Sequence, residues 1–226
     1  MKKHKKISSW ANFPKRFGKE HIFSSKKDLS NFIIKQHNII PFGNRRNYGD
    51  CALNKHMIKF DDKDKSIQLD KKTGIVKVKS NIQIKELIDY SLQYNWFLNV
   101  VPGSSYITIG GAIASDVHGK NHHIDGCFSE SILSINIMTA NGTILECSRN
   151  NNSNLFRSTC GGMGLTGIIL SAELKMIKVQ SHQIKQTSYK TNSIEELFNY
   201  FENNSFKKFS MAWIDCSSNH KSIGRG

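Results

Sequence analysis

The sequence runs to 226 residues, 38% hydrophobic and 22% charged, which is enough to bury a sizeable core in one or two domains. Its 32 lysines and arginines outnumber 18 aspartates and glutamates for a formal charge of +14, yet no recognition-helix pattern, aromatic RNA-binding motif or zinc-finger spacing goes with them, which argues against nucleic acid. No apolar stretch approaches the ~18 residues of a membrane span, and the cationic start Met1–Trp10 lacks the apolar core of a secretory signal. Cys51, Cys127, Cys147, Cys160 and Cys216 are odd in number and scattered, so a reducing cytoplasm is expected, with no disulfide framework and no metal site.

Residues 1–13 read as a basic extension. Lys27–Asn38 then sets Leu29, Phe32, Ile33 and Gln36 at helical spacing, and Ile39–Phe42 reads as a strand entering a glycine loop. Met57–Phe60, Ser66–Leu69 and Gly74–Val78 read as short strands joined by Asp/Lys turns. Ile84–Tyr94 carries Leu87, Ile88 and Leu92 on one helical face. Ile132–Thr139 and Ile144–Cys147 flank Asn141-Gly142, a hairpin signal. Ser193–Phe201 predicts a helix with Ser193 as N-cap and Glu195 and Glu196 in its first turn. The fold class expected is α+β.

Three glycine-bearing segments stand out. Pro41–Asp50 follows a strand and pairs glycines with Arg45 and Arg46, which suits a phosphate-bearing ligand or a plain surface turn. Pro102–His123 passes from Gly110-Gly111 and small residues into the polar knot Asp116, His118, Lys120, Asn121, His122, His123. Glycine pairs let a backbone approach a ligand closely, and titratable groups straight after such a turn lie at the ligand's edge. Cys160–Gly167 contains a formal G-x-G-x-x-G match, but strand alternation from Ile168 to Met176 follows it, and Gln186, Thr187 and Ser188 stand where a dinucleotide fold needs an acid. A Rossmann loop is therefore excluded. Gly119 and the lack of a carboxylate or cysteine at ligand spacing argue against a metal held by His118 and His122.

Together these segments resemble one family. The stretches Arg46-Asn47-Tyr48-Gly49-Asp50, Pro102–His123 and Gly161–Ile169 are similar to the signature loops of FAD-binding oxidoreductases of the vanillyl-alcohol-oxidase (PCMH-type) superfamily, in the group resembling decaprenylphosphoryl-ribose oxidase. The resemblance implies a PCMH-type domain of two α+β subdomains, about 14–100 and 101–180, with 181–226 beginning a substrate domain that the chain encodes only in part. It implies FAD held by Phe42, Gly43, Asn44, Arg45, Arg46, Asn47, Tyr48, Gly49 and Asp50, by Gly103, Thr108, Ile109, Gly110 and Gly111, and by Ser115, Asp116, Val117, His118 and Ile169. His118 and Lys120 would face the substrate as catalytic groups, Lys120 anchoring an anion. Because Arg46 occupies the place where some relatives bond flavin through histidine, non-covalent FAD is expected.

The activity implied is oxidation of a secondary alcohol of a sugar or sugar-lipid by hydride transfer to flavin, with a partner reductase or the missing C-terminal half as partner. The alternatives are a non-catalytic or partner-completed flavin-binding half and an inactive gene remnant. A cytoplasmic protein is expected, touching the inner membrane at most peripherally. Two positions depart from the family pattern, Arg45 and Ser129, each replacing a glycine. If either needs positive φ, the side chain costs on the order of 1 kcal/mol.

Overall fold

The computed structural model describes residues 5–214 and 224–225. Strands β1 (Lys5–Ile7), β2 (Arg16–Phe23), β3 (Ile39–Pro41) and β4 (His56–Phe60), with helix α1 (Lys26–Lys35) between β2 and β3, open the chain. They form a sheet in the order β1-β2-β4-β3, with β1 antiparallel to β2 and the remaining pairs parallel. The basic stretch at the start is thus partly an edge strand: Ile7 is buried with Ile40, Leu53 and Met57.

Next come β5 (Ile67–Leu69), β6 (Ile75–Lys79), α2 (Ile84–Ser91), β7 (Trp96–Phe97), α3 (Ile109–Ala114), α4 (His122–Asp125), β8 (Ile132–Met138), β9 (Ile144–Ser148), α5 (Ser153–Thr159) and β10 (Ile168–Lys175). All these strands except β7 form an antiparallel sheet in the order β5-β6-β10-β8-β9. Its strands come from both sides of residue 100, where the sequence reading set a subdomain boundary. Strand β11 (Ile177–Lys178) pairs with β7. Helix α6 (Ile194–Asn203) lies beside a small sheet of β12 (Lys190–Thr191), β14 (Gly224–Arg225) and β13 (Trp213–Ile214). Of the run Met211–Asp215, Trp213 and Ile214 form β13, while Asp215 and Gly226 lie outside the described residues, as do Met1–His4 of the basic start.

The middle sheet is buried on both faces, and a bulge in β10 changes which of its residues faces each core. Ile168 and Leu170 pack with Leu29 and Ile33 of α1, Ile58 and Phe60 of β4, and Met138, which joins the two large sheets. Ile169, Ala172 and Leu174 belong instead to the main core with Val76, Val78, Ile135, Ile137, Ile84, Leu87, Ile113 and Phe156. Leu170 and Ala172 share parity but face opposite cores, because the register shifts between Ile169 and Ser171. An extra residue on one strand does this. The uninterrupted alternation read from the sequence across Ile168–Met176 is corrected accordingly.

Elements that the sequence predicts depart from it mainly at their ends. Helix α1 stops at Lys35, since Gln36 is extended and Asn38 is left-handed, not at Asn38. Helix α2 tightens into a 3-10 turn over Leu92–Tyr94, closed by Asn95 at φ +62°. Ser193 caps α6, its hydroxyl accepting from the Glu196 N–H at 3.1 Å. No helix among the described residues is long and apolar enough to cross a membrane.

Candidate cofactor cleft

The three glycine segments meet. Helix α3 crosses the ends of β6 and β10, and its N-cap Thr108 accepts from Gly111 N–H at 3.2 Å. Gly110 lets it lie this close: a Cβ there would stand 3.0 Å from the Ser80 side chain, and its N–H donates to the Ser80 carbonyl at 2.9 Å. The loop after β3 packs on the same cap, since a Cβ on Gly43 would meet the Thr108 hydroxyl at 2.5 Å. Asn44 fixes that loop from its other end by donating to the Tyr106 carbonyl at 2.9 Å. The loop before β10 then closes the far side, where Gly161 and Met163 donate to the carbonyls of Ile113 and Ala114.

Between them lies a cleft with about 1000 Å³ of empty space, part of it open to solvent. Of the residues the sequence nominated, Phe42, Gly43, Asn44, Arg45, Arg46, Asn47, Thr108, Gly110, Gly111, Ser115, Val117 and Ile169 line it. Arg45, Arg46 and Lys59 bring cations to the lining, which contains no carboxylate. N–H groups of residues 43–49 make no hydrogen bond among the described residues. Unmatched backbone donors beside guanidinium groups make a receptor for an anion. By contrast, the N–H groups of Gly110 and Gly111 are already taken by Ser80 and Thr108, so those glycines serve close packing.

Arg45 occupies the left-handed region at φ +53°. Its guanidinium pairs with Glu20 and lies 4.5 Å over the Phe42 ring, while its Nε is buried without a partner. Ser129 needs no positive φ; it sits in a 3-10 turn, where its N–H and hydroxyl donate to the Asp116 carboxylate at 2.8 and 2.9 Å. Asp116, itself at φ +39°, therefore holds that turn and lies outside the cleft lining.

The remaining nominees also lie outside the lining. Tyr48 is exposed, Gly49 has open space around it, and Asp50 pairs with Arg16 at 2.8 Å, which holds its carboxyl below the ordinary range. Gly103 has no neighbour within 4 Å of a built Cβ, and Ile109 is in the core. His118 and Lys120 are exposed and follow Val117, which lines the cleft. The His118 backbone bridges to Cys127, and its ring stands 5.6 Å from that of His122. The Lys120 carbonyl accepts from Ser210 N–H at 3.1 Å.

Sequence reasoning missed Ser80, Asn81, Lys59, Met163 and Gly164 among the lining residues. The polar pair Ser80-Asn81 ending an apolar strand was the available signal. Asn81 donates to Asp61 and to the Asp62 carbonyl, both at 3.0 Å, and its Oδ1 has no partner. Gly164, at φ +81°, abuts Pro41, and nothing in the local sequence announces that contact.

Comparison with known proteins agrees with this geometry. The FAD binding domain family matches residues 31–148, which include the first two glycine loops. Decaprenylphosphoryl-beta-D-ribose oxidase of Mycolicibacterium smegmatis is 33% identical over 192 residues, 83% of this chain and 42% of the relative. L-gulonolactone oxidase of Mus musculus is 27% identical over 72% of this chain and 37% of its own. The Delta(24)-sterol reductase of Homo sapiens is 24% identical over 51% and 22% respectively. The chain thus spans less than half the length of these relatives, and over the part it spans it belongs to the FAD binding domain family of oxidoreductases.

Proposed function

We propose that the cleft holds FAD non-covalently and that the chain is the flavin-carrying part of an oxidoreductase acting on a secondary alcohol of a sugar or sugar-lipid. The observation that carries this is the convergence of three glycine loops on one cleft whose lining is cationic and free of carboxylates. The residues fit the group: the cleft offers loop N–H donors, Arg45 with an unmatched Nε, Arg46 and Lys59 to a diphosphate. Glycines at 43, 110 and 164 keep side chains out of the walls. Phe42 and Val117 supply apolar surface for a ring system, and the β10 start at Ile169 supplies more on the adenine side.

FAD, when bound, supplies acceptance of a hydride from the carbon that bears the hydroxyl group. The chain's own groups orient the substrate. His118 accepts a hydrogen bond from the reacting hydroxyl, and Lys120 holds an anionic group of the substrate by charge. Relatives named as oxidases of a decaprenylphosphoryl ribose and of gulonolactone support the substrate class. No histidine lies in the Pro41–Asp50 loop, which supports non-covalent attachment.

A second reading, that catalysis is completed by further polypeptide, has its own support. Phe198, Phe206 and Trp213, on and after α6, are largely exposed, and a surface of that kind is a place for a partner.

The test is the visible spectrum of the purified chain before and after acid precipitation. Flavin bands that pass to the supernatant are expected. A colourless protein that takes up no added FAD would overturn the reading, and bands that stay in the pellet would overturn non-covalent attachment.

A further inference from the structure

We propose that the loop closing the β1–β2 hairpin, with the shallow basic pocket beside it, is a docking surface for a bilayer that carries anionic lipids. Three aromatic side chains in eight residues, Trp10, Phe13 and Phe17, are 59%, 77% and 69% exposed. Exposed aromatic side chains clustered on one short loop and the start of the strand it enters call for a partner. The chemistry around them selects which one.

The first nineteen residues carry Lys2, Lys3, Lys5, Lys6, Lys15, Arg16 and Lys19 and no acid. Phe17 stands opposite Lys6 in the strand register, so ring and cation share a face. Phe17 itself lines a pocket together with Lys15, Arg16, Leu53, Asn54 and Lys55. The nearby acids, Asp50 and Glu20, are matched by Arg16 and Arg45, leaving the surface positive. Aromatic rings and lysines at one level are what an anionic membrane interface accepts: rings sit among the headgroups while cations meet lipid phosphates. An acidic protein would satisfy the cations but would not by itself call for three protruding rings.

The loop is also tied to the cleft. Trp10 N–H donates to the Asn47 carbonyl at 3.2 Å, and the Arg46 guanidinium lies 5.0 Å from the centre of the Trp10 ring. Asn47 and Arg46 both line the cleft. A bilayer bound at this loop therefore lies beside the Arg46 and Asn47 wall of the cleft. The docking surface itself does not depend on the flavin reading.

Sedimentation of the purified chain with phosphatidylglycerol/phosphatidylcholine vesicles, and with phosphatidylcholine alone, tests this. Binding to the anionic vesicles is expected, weakening as salt is raised. Replacing Lys6, Lys15 and Lys55 by glutamine should lower partitioning by about 100-fold, at about 5-fold per charge. Phe13→Ser with Phe17→Ser should lower it by on the order of tenfold or more, with the far-ultraviolet spectrum unchanged in both variants. Equal binding to neutral vesicles, wild-type binding by both variants, or lipid-independent self-association in place of vesicle binding would overturn the proposal. A chain that takes up no FAD yet binds anionic vesicles defeats the flavin reading and leaves this one; a flavin-loaded chain indifferent to vesicles does the reverse.

Discussion

At Arg45 two effects oppose each other in one residue. A β-carbon in the left-handed region costs about 1 kcal/mol, and Arg45 sits there at φ +53°. Its half-shielded pair with Glu20 and its stacking on Phe42 return about the same amount together. Arg45→Gly should therefore change the unfolding free energy by less than about 1 kcal/mol. The same change should raise the dissociation constant for FAD about tenfold, because a charge-assisted donor is lost. Titration by flavin fluorescence reads this, and an unchanged constant would leave Arg45 a purely structural role. Asp116 is the opposite case, a left-handed residue whose side chain is fully employed. Asparagine tolerates that conformation and keeps an acceptor for Ser129 N–H, so Asp116→Asn should cost about 1 kcal/mol, whereas Asp116→Ala loses both bonds at about 2–3 kcal/mol. Urea unfolding distinguishes them, and equal losses would mean the Ser129 contacts carry little.

Among the elements, α3 is where sequence and structure diverge most usefully. A double glycine lowers helix propensity by about 1 kcal/mol per residue, so Ile109–Ala114 reads as a turn. Tertiary contact supports it as a helix: Thr108 caps it, the Gly110 N–H donates to the Ser80 carbonyl, and a Cβ at Gly110 would press on Ser80 at 3.0 Å. The same logic applies to Gly43, whose missing Cβ is the space taken by the Thr108 hydroxyl. Gly43→Ala should destabilise by about 1–3 kcal/mol through this clash, and Thr108→Ala by about 1 kcal/mol through loss of the cap. The double variant should lose less than the sum, since Thr108→Ala removes the hydroxyl that a Cβ at position 43 would strike. Strict additivity would mean that the loop and the cap do not touch in solution. Strands β4 to β6 and β8 to β10, and helices α1, α2 and α6, were legible because hydrophobic period and caps are local properties. Strand β2 was not, since Lys19, Glu20 and His21 in its middle hide its apolar positions. The cleft was legible where a glycine loop announced itself, and hidden where a wall residue such as Ser80 or Lys59 belongs to an ordinary strand end.

Across the whole molecule, a polar network ties the segment after α6 back to α4. Asp125 accepts from Asn121 at 2.6 Å, from Asn99 at 3.1 Å and from Lys208 at 3.3 Å. Lys208 also donates to Asn99 Oδ1 at 2.9 Å, and a His123 ring nitrogen lies 3.0 Å from the Lys207 carbonyl. Ser210 N–H donates to the Lys120 carbonyl, so this network also ties the segment after α6 to the residues just past Val117 of the cleft. Partial burial pushes the Asp125 carboxyl up, but the bonds from Asn121, Asn99 and Lys208 outweigh it and hold the group below its ordinary value of about 3.9. A carboxyl lowered in the folded state adds stability that is present above the unfolded value. That stability drains away as pH falls through the folded one. The chain should accordingly lose part of its stability below about pH 4. Asp50, Asp64 and Asp70 are lowered as well, so the loss has several contributors. Lys208→Met should weaken the chain near neutral pH and flatten the acid loss, because both follow from one ion pair. Urea midpoints of the two proteins between about pH 3 and 7 decide it: parallel curves would mean that Asp125 and Lys208 do not act together, and converging curves at the acid end would show that they do.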